Sequence, residues 1–182
     1  MKKYIWMFFG AALVAVIILV VFVREEGEFV SPQETHTFTD GDLKIEVVYG
    51  RPSKRSRDIF GALVPYDKLW RTGANEATEL HTSANLNFNG QTLAAGNYSV
   101  WTQPGASNWK IFINSTIPEW GINENGVVPK SPDTDVVVVD AAPETVAEVT
   151  EIFTMKVEKA DSSYNLIFNW DKTKVAVPFT RQ

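Results

Sequence analysis

The chain has 182 residues, with 17 Lys or Arg against 22 Asp or Glu, a formal net charge of −5 and no cysteine. An acidic balance disfavours nucleic acid as a partner, because domains that bind it are usually basic. The missing cysteines exclude disulfides, thiolate metal sites and lipoprotein attachment through an acceptor cysteine.

The first element is the uncharged run from Tyr4 to Val23, rich in Val, Ile, Leu, Phe and Ala. As a helix rising about 1.5 Å per residue it spans roughly 30 Å, the thickness of a hydrocarbon core. A cleavable signal peptide has a shorter apolar region, about 7–15 residues, ending in a small-x-small site. Here Gly10, Ala11, Ala12 and Ala15 lie mid-run, and apolar residues continue from Val16 to Val23. The expectation is therefore an uncleaved transmembrane anchor over 4–23, with residues 1–3 in the cytoplasm.

Lys2 and Lys3 against the single Arg24 orient the anchor with its N-terminus inside. That predicts a single-pass inner-membrane protein whose C-terminal domain is extracytoplasmic (periplasmic). Setting aside Lys2 and Lys3 leaves 15 basic against 22 acidic residues beyond the anchor, a balance of −7. Residues 24–33 read as a tether that reaches at most about 35 Å when extended, which keeps the domain close to the bilayer.

From residue 34 to 182 the pattern is one extracytoplasmic domain of period-two segments separated by turn signals. Leu43, Ile45, Val47 and Tyr49 alternate onto one face after an Asp40-Gly41 turn, a hairpin signature. The segment 79–88 reads as one strand, followed by an Asn89-Gly90 turn into 91–93. Turns at Ala95-Gly96-Asn97 and Pro104-Gly105 deliver strands over 98–102 and 109–114.

Residues 115–133, with three prolines and two glycines, read as a long loop. The four consecutive valines within 135–140 suggest a strand covered on both faces. In 148–158 the apolar alternation runs through Val149, Ile152, Met155 and Val157. Strands over 164–170 and 175–179 close the chain. Short strands with a turn signal every ten residues or so predict an all-β fold, an antiparallel β-sandwich of the jelly-roll/Ig-like class.

One connection is richer than a turn requires. Residues 51–78 read RPSKRSRDIFGALVPYDKLWRTGANEAT. Long, chemically mixed loops on repetitive scaffolds tend to carry function. This block resembles the bacterial family of domain of unknown function 2911, whose pattern runs R-P-S-x-x-G-R-x-I-F-G-x-L-V-P-Y-G-x-x-W-R-T-G-A-N-E-A-T. The resemblance continues through Phe88-Asn89-Gly90 to Tyr98-Ser99 and through Trp101 to Gly105. Ser56 and Asp67 stand where the family pattern has Gly, and Ala94 where it has Pro. The resemblance implies an exported, mostly β domain and brings no established activity.

Within this block Arg51, Arg55, Arg57 and Arg71, with Lys54, can hold carboxylate or phosphate groups bidentately. Equally, they can pair with Asp58, Asp67, Glu76 and Glu79 and merely fasten the loop. Tyr66 and Trp70 can stack on a ligand, or Trp70 can plug the sandwich. Gly73 and Ala74 let backbone approach a ligand closely, with Asn75 and Glu76 as hydrogen-bonding selectors. The candidate ligand site is thus Arg51, Arg57, Tyr66, Trp70, Arg71, Asn75 and Glu76.

Enzyme motifs are sparse. His36 and His81 stand singly in strand-like segments without metal-ligand spacing, and no cofactor or metal site is expected. Ser107-Asn108-Trp109-Lys110 matches S-x-x-K but opens a strand and lacks its partner motifs. Three readings follow: a binder of a small anionic or sugar-like ligand or of an envelope partner; a hydrolase with Glu76 as base and Arg71 as anion clamp; or a purely structural envelope module.

Overall fold

A computed structural model describes Val16 and residues 31–182. The anchor expected over 4–23, apart from Val16, and the tether up to residue 30 lie outside the described residues. Among the described residues no helix is long and apolar enough to cross a membrane.

Among the described residues ten strands follow in chain order: β1 (Gln33–Asp40), β2 (Leu43–Gly50), β3 (Glu79–Thr82), β4 (Leu86–Phe88) and β5 (Gln91–Leu93), then β6 (Gly96–Gln103), β7 (Trp109–Asn114), β8 (Asp135–Ala141), β9 (Pro143–Ala160) and β10 (Ser163–Arg181). They form a six-stranded sheet in the order β1-β2-β3-β6-β7-β8 and a four-stranded sheet in the order β5-β4-β10-β9. Every pairing is antiparallel. The two sheets pack as a sandwich, the all-β architecture expected from the period-two pattern.

The alternation on β2 lands as predicted: Leu43, Ile45, Val47 and Tyr49 are all buried in the inter-sheet core. They meet Phe153, Met155 and Val157 of β9 and Leu166 and Phe168 of β10, which line the same core. The β4–β5 hairpin places Asn89 at φ 51° and Gly90 at φ 87° between the paired Phe88 and Gln91. Two successive left-handed residues make the primed turn that Asn-Gly favours.

Three segments depart from the sequence expectation. The 79–88 run is two strands in different sheets, because 83–85 crosses between them. The Thr82 hydroxyl accepts the Ala84 N–H at 3.3 Å and donates to the Ala84 carbonyl at 2.8 Å, which turns the chain. β8 is an edge strand, so Val137 and Val139 face the core while Val136 stands 39% exposed.

On β9 the inward set is Phe153, Met155 and Val157, whereas Val149 and Ile152 are exposed. The register of β9 against β10 shifts around Asp171, and that irregularity displaces the alternation.

The long 115–131 connection folds over the outer face of the six-stranded sheet. There the Trp101 indole, fully buried, donates to Ser99 Oγ at 2.7 Å, and that hydroxyl donates to the Thr116 carbonyl at 2.7 Å. At its far end Lys130 pairs with Asp135 at 2.6 Å and lies over the Phe112 ring. Both ends of this connection are thereby fixed to the sheet.

Candidate functional site

The 51–78 connection closes one end of the sandwich. Beyond Gly50 the chain runs beside β9: the Phe153 N–H donates to the Pro52 carbonyl at 2.9 Å, and the Lys54 N–H donates to the Glu151 carbonyl at 2.7 Å. It then turns through Arg55 and Ser56, both left-handed at φ 50° and 58°. The Arg57 guanidinium folds back onto the carbonyls of Lys54 and Ser53 at 2.9 and 2.6 Å, and among the described residues no carboxylate pairs with it. Ile59 and Val64 sink into the core and hold the tip of the connection down.

The chain returns at Trp70, whose N–H and carbonyl exchange bonds of 2.7 and 3.1 Å with Thr102 of β6. The Trp70 ring stacks on Trp170 at 5.9 Å and meets Phe60, Trp109 and Phe153 edge-on. Aromatic pairs of this kind contribute about 0.5–1.5 kcal/mol beyond their buried area. Trp70 is therefore a core plug and a wall of the site at once, so the two readings of it are not exclusive.

The next turn is strained. Thr72, a β-branched residue, sits at φ 59°, followed by Gly73 at φ 152° and Asn75 at φ 64°. Left-handed geometry is a genuine outlier for a β-branched side chain. It is held here by Thr72 Oγ1 against Thr102 Oγ1 at 3.0 Å and by Thr78 Oγ1 donating to the Thr72 carbonyl at 2.8 Å, all three residues being buried. A Cβ on Gly73 would lie 2.8 Å from the Gly50 carbonyl oxygen, so only glycine lets this turn lie against the end of β2.

Between these two arms opens a cleft of about 450 Å³. Its cations are Arg55, Arg57, Lys68 and Arg71, and among the described residues no Asp or Glu contributes to its lining. Its apolar wall is Leu63, Val64, Pro65, Trp70 and Trp170, and Asn75 adds an amide. Arg55, Arg57 and Lys68 are exposed at the rim, while Arg71 is half-buried.

Burial pushes the Arg71 guanidinium below its ordinary pKa, and its Nε donates to the Gly73 carbonyl at 3.3 Å. Among the described residues no carboxylate pairs with it. A desolvated cation without a counter-charge is costly, and an arriving anion relieves that cost.

The predicted site residues divide. Arg57, Trp70, Arg71 and Asn75 come together in the cleft. Arg51 does not: it forms an ion pair with Glu34 of β1. Tyr66 is 41% exposed just outside the lining, with its ring over Gly61. Glu76 pairs through its backbone with Trp120 and does not line the cleft.

The carboxylates considered as fasteners are not the ones used. Arg51 takes Glu34, Lys54 takes Asp171 at 3.1 Å, and Glu79 takes His81 at 2.7 Å. Lys68 and Trp170 belong to the cleft but were not singled out by sequence. Lys68 lies two residues before Trp70 in the same block, a signal that was available. Ser31, Ile122 and Gly126 also line it, and nothing in their local sequence marks them. Among the described residues no cluster of three His, Asp or Glu could hold a metal ion.

Fold and site define an all-β sandwich whose end loop builds a cationic, aromatic-walled cleft. The pattern of the family described as protein of unknown function (DUF2911) matches residues 31–179, and the chain belongs to that family. No curated protein and no solved structure matches it.

Proposed function

We propose that this domain binds a small anionic ligand in the cleft, on the outer side of a membrane to which residues 4–23 anchor it. The observation that carries the reading is Arg71, half-buried beside Trp70 with no acidic partner among the described residues. Arg57 and Arg55 add charge at the rim, and Lys68 completes it. Among the described residues the lining holds no carboxylate, which favours an anion over a neutral sugar, whose hydroxyls are commonly met by acidic acceptors. The uncharged 4–23 run and its flanking lysines support the anchor and the extracytoplasmic placement. We place the sandwich in the broad jelly-roll/Ig-like class because the chain switches sheets at β3–β4 and again at β5–β6.

The hydrolase alternative loses support because Glu76 stands apart from the cleft lining. A purely structural module is disfavoured by a half-buried Arg71 that meets no carboxylate among the described residues.

The test is a thermal-shift screen of organic anions, phosphate esters and glycans on the full chain and on Arg71→Ala. A ligand at a hundred times its Kd stabilises by about 2.7 kcal/mol. For a domain of this size that is roughly 5–10 °C. The expected result is such a shift from anions, lost in Arg71→Ala, whose unliganded Tm stays close to that of the parent. A large fall in the variant's Tm, with no anion acting on the parent, overturns the reading.

A further inference from the structure

We infer that the anion is the phosphate-bearing head of an acidic membrane lipid, taken up by the cleft from the bilayer surface; this rests on the anionic-ligand and anchor readings above. Three independent observations converge on it.

The first is position. Ser31 lines the cleft, and its carbonyl accepts a bond from the Asn75 amide at 3.2 Å. Only eight residue steps separate it from Val23, the end of the apolar run. Fully extended, those steps span about 28 Å. A domain entered at its binding cleft by so short a leash keeps that cleft near the membrane.

The second is the apolar rim. Leu63 is 43% exposed and lines the cleft, Tyr66 at 41% follows the lining Pro65, and Val127 at 57% follows the lining Gly126. Large apolar side chains left in water on the segments that build a cationic cleft suit an interface with an apolar layer behind it.

The third is charge placement. Arg55, Arg57 and Lys68 line the cleft with exposed side chains, and basic side chains near an anionic lipid surface are drawn to it. Asp58 and Asp67, the exposed acids of the same segment, stand outside the lining. Arg71 then meets the phosphate within the cleft, where its planar fork gives bidentate hydrogen bonds. Leu63, Pro65 and Trp70 cover the glycerol and the first methylenes. A soluble anion would use the same guanidinium but would have no need of the apolar rim.

The experiment uses the full chain in nanodiscs of phosphatidylcholine alone or with one-third phosphatidylglycerol, read by amide hydrogen exchange over residues 55–75. The soluble probes, glycerol 3-phosphate and inorganic phosphate, are added to the phosphatidylcholine discs. The expected result is exchange slowed roughly tenfold or more by phosphatidylglycerol, as occupancy well above half requires. That protection is lost in Arg71→Gln and reduced in the double variant Arg55→Gln/Lys68→Gln, whose altered side chains are exposed and leave the fold intact. Protection by the soluble probes with none from phosphatidylglycerol overturns the lipid assignment and leaves the anion reading standing. Protection by neither overturns both. Phosphatidylglycerol protection that survives Arg71→Gln and the double variant alike overturns the cleft as its seat.

Discussion

Gly121 lies against the stem of Arg71: a Cβ built on it would stand 2.6 Å from Arg71 Cδ and 2.9 Å from Arg71 Cβ. The Gly121 N–H also donates to the Asn75 carbonyl at 2.9 Å. The loop over the outer sheet face thus fixes Arg71, the half-buried cation among the described residues of the cleft. Gly121→Ala is expected to displace Arg71 and to weaken anion binding at least about tenfold, since 1.4 kcal/mol is a modest cost for such a clash. In the Arg71→Ala background the 2.6 Å contact with Cδ is gone while the 2.9 Å contact with Cβ stays, so the clash is relieved in part. A double-mutant cycle on thermal unfolding is expected to give a coupling of about 1–2 kcal/mol. Additive effects would mean that the two residues do not constrain each other.

The same end loop contains a second adjustable feature. Ser56 and Asp67 adopt φ 58° and 59°, and these are the two positions of the block where this chain departs from a Gly of the pattern it resembles. Left-handed geometry costs a side-chain-bearing residue about 1–2 kcal/mol, partly offset by the extra freedom of glycine in the unfolded chain. Ser56→Gly is therefore expected to stabilise by about 0.5–1 kcal/mol, and Ser56→Ala is not. Denaturant midpoints at unchanged m-value measure both. An equal response to Gly and Ala would show that backbone conformation is not the cause.

These positions also mark how far the sequence could be read. The loop was legible because its arginines, aromatics and small residues crowd one stretch, and the core face of β2 because one side alternates cleanly. What escaped depends on long-range register. The irregularity around Asp171 moves Val149 and Ile152 outward, and it cannot be inferred from β9 alone. Arg51 finds Glu34 only because β1 folds back beside β2, a pairing that local spacing does not encode. Ile122 and Gly126 reach the cleft from a loop fifty residues downstream, where nothing local points to it.

The two sheets also meet edge to edge through one side chain. The Gln91 carboxamide donates to the Val138 carbonyl at 2.7 Å and accepts the Val138 N–H at 3.0 Å, imitating a neighbouring strand. Gln91→Leu leaves both backbone groups of the β8 edge without partners at that point. The expected cost is about 1–3 kcal/mol. Exposed strand edges pair with other chains, so the variant is also expected to associate at high concentration. Thermal unfolding together with sedimentation measures both effects, and a monomeric variant of parental stability would refute this role.

Asp40 joins the sheets at the opposite side. Its Oδ2 accepts bonds from Lys159 Nζ at 2.6 Å and from the Tyr164 hydroxyl at 2.9 Å. These bonds hold the Asp40 carboxyl below its ordinary range, and the same carboxylate raises Lys159 and Tyr164 above theirs. A depressed acid contributes stability that is present above its unfolded pKa near 4 and is lost as pH falls through the folded value. The raised Lys159 and Tyr164 contribute stability that is present below about pH 10 and is lost as pH rises through their folded values. Asp40→Asn removes the charge that produces all three shifts. Its unfolding profile is expected to be flatter than the parent's both below pH 4 and above pH 10, with the loss of stability greatest in between. Parallel profiles for the two proteins would show that the carboxylate does not couple these groups to folding.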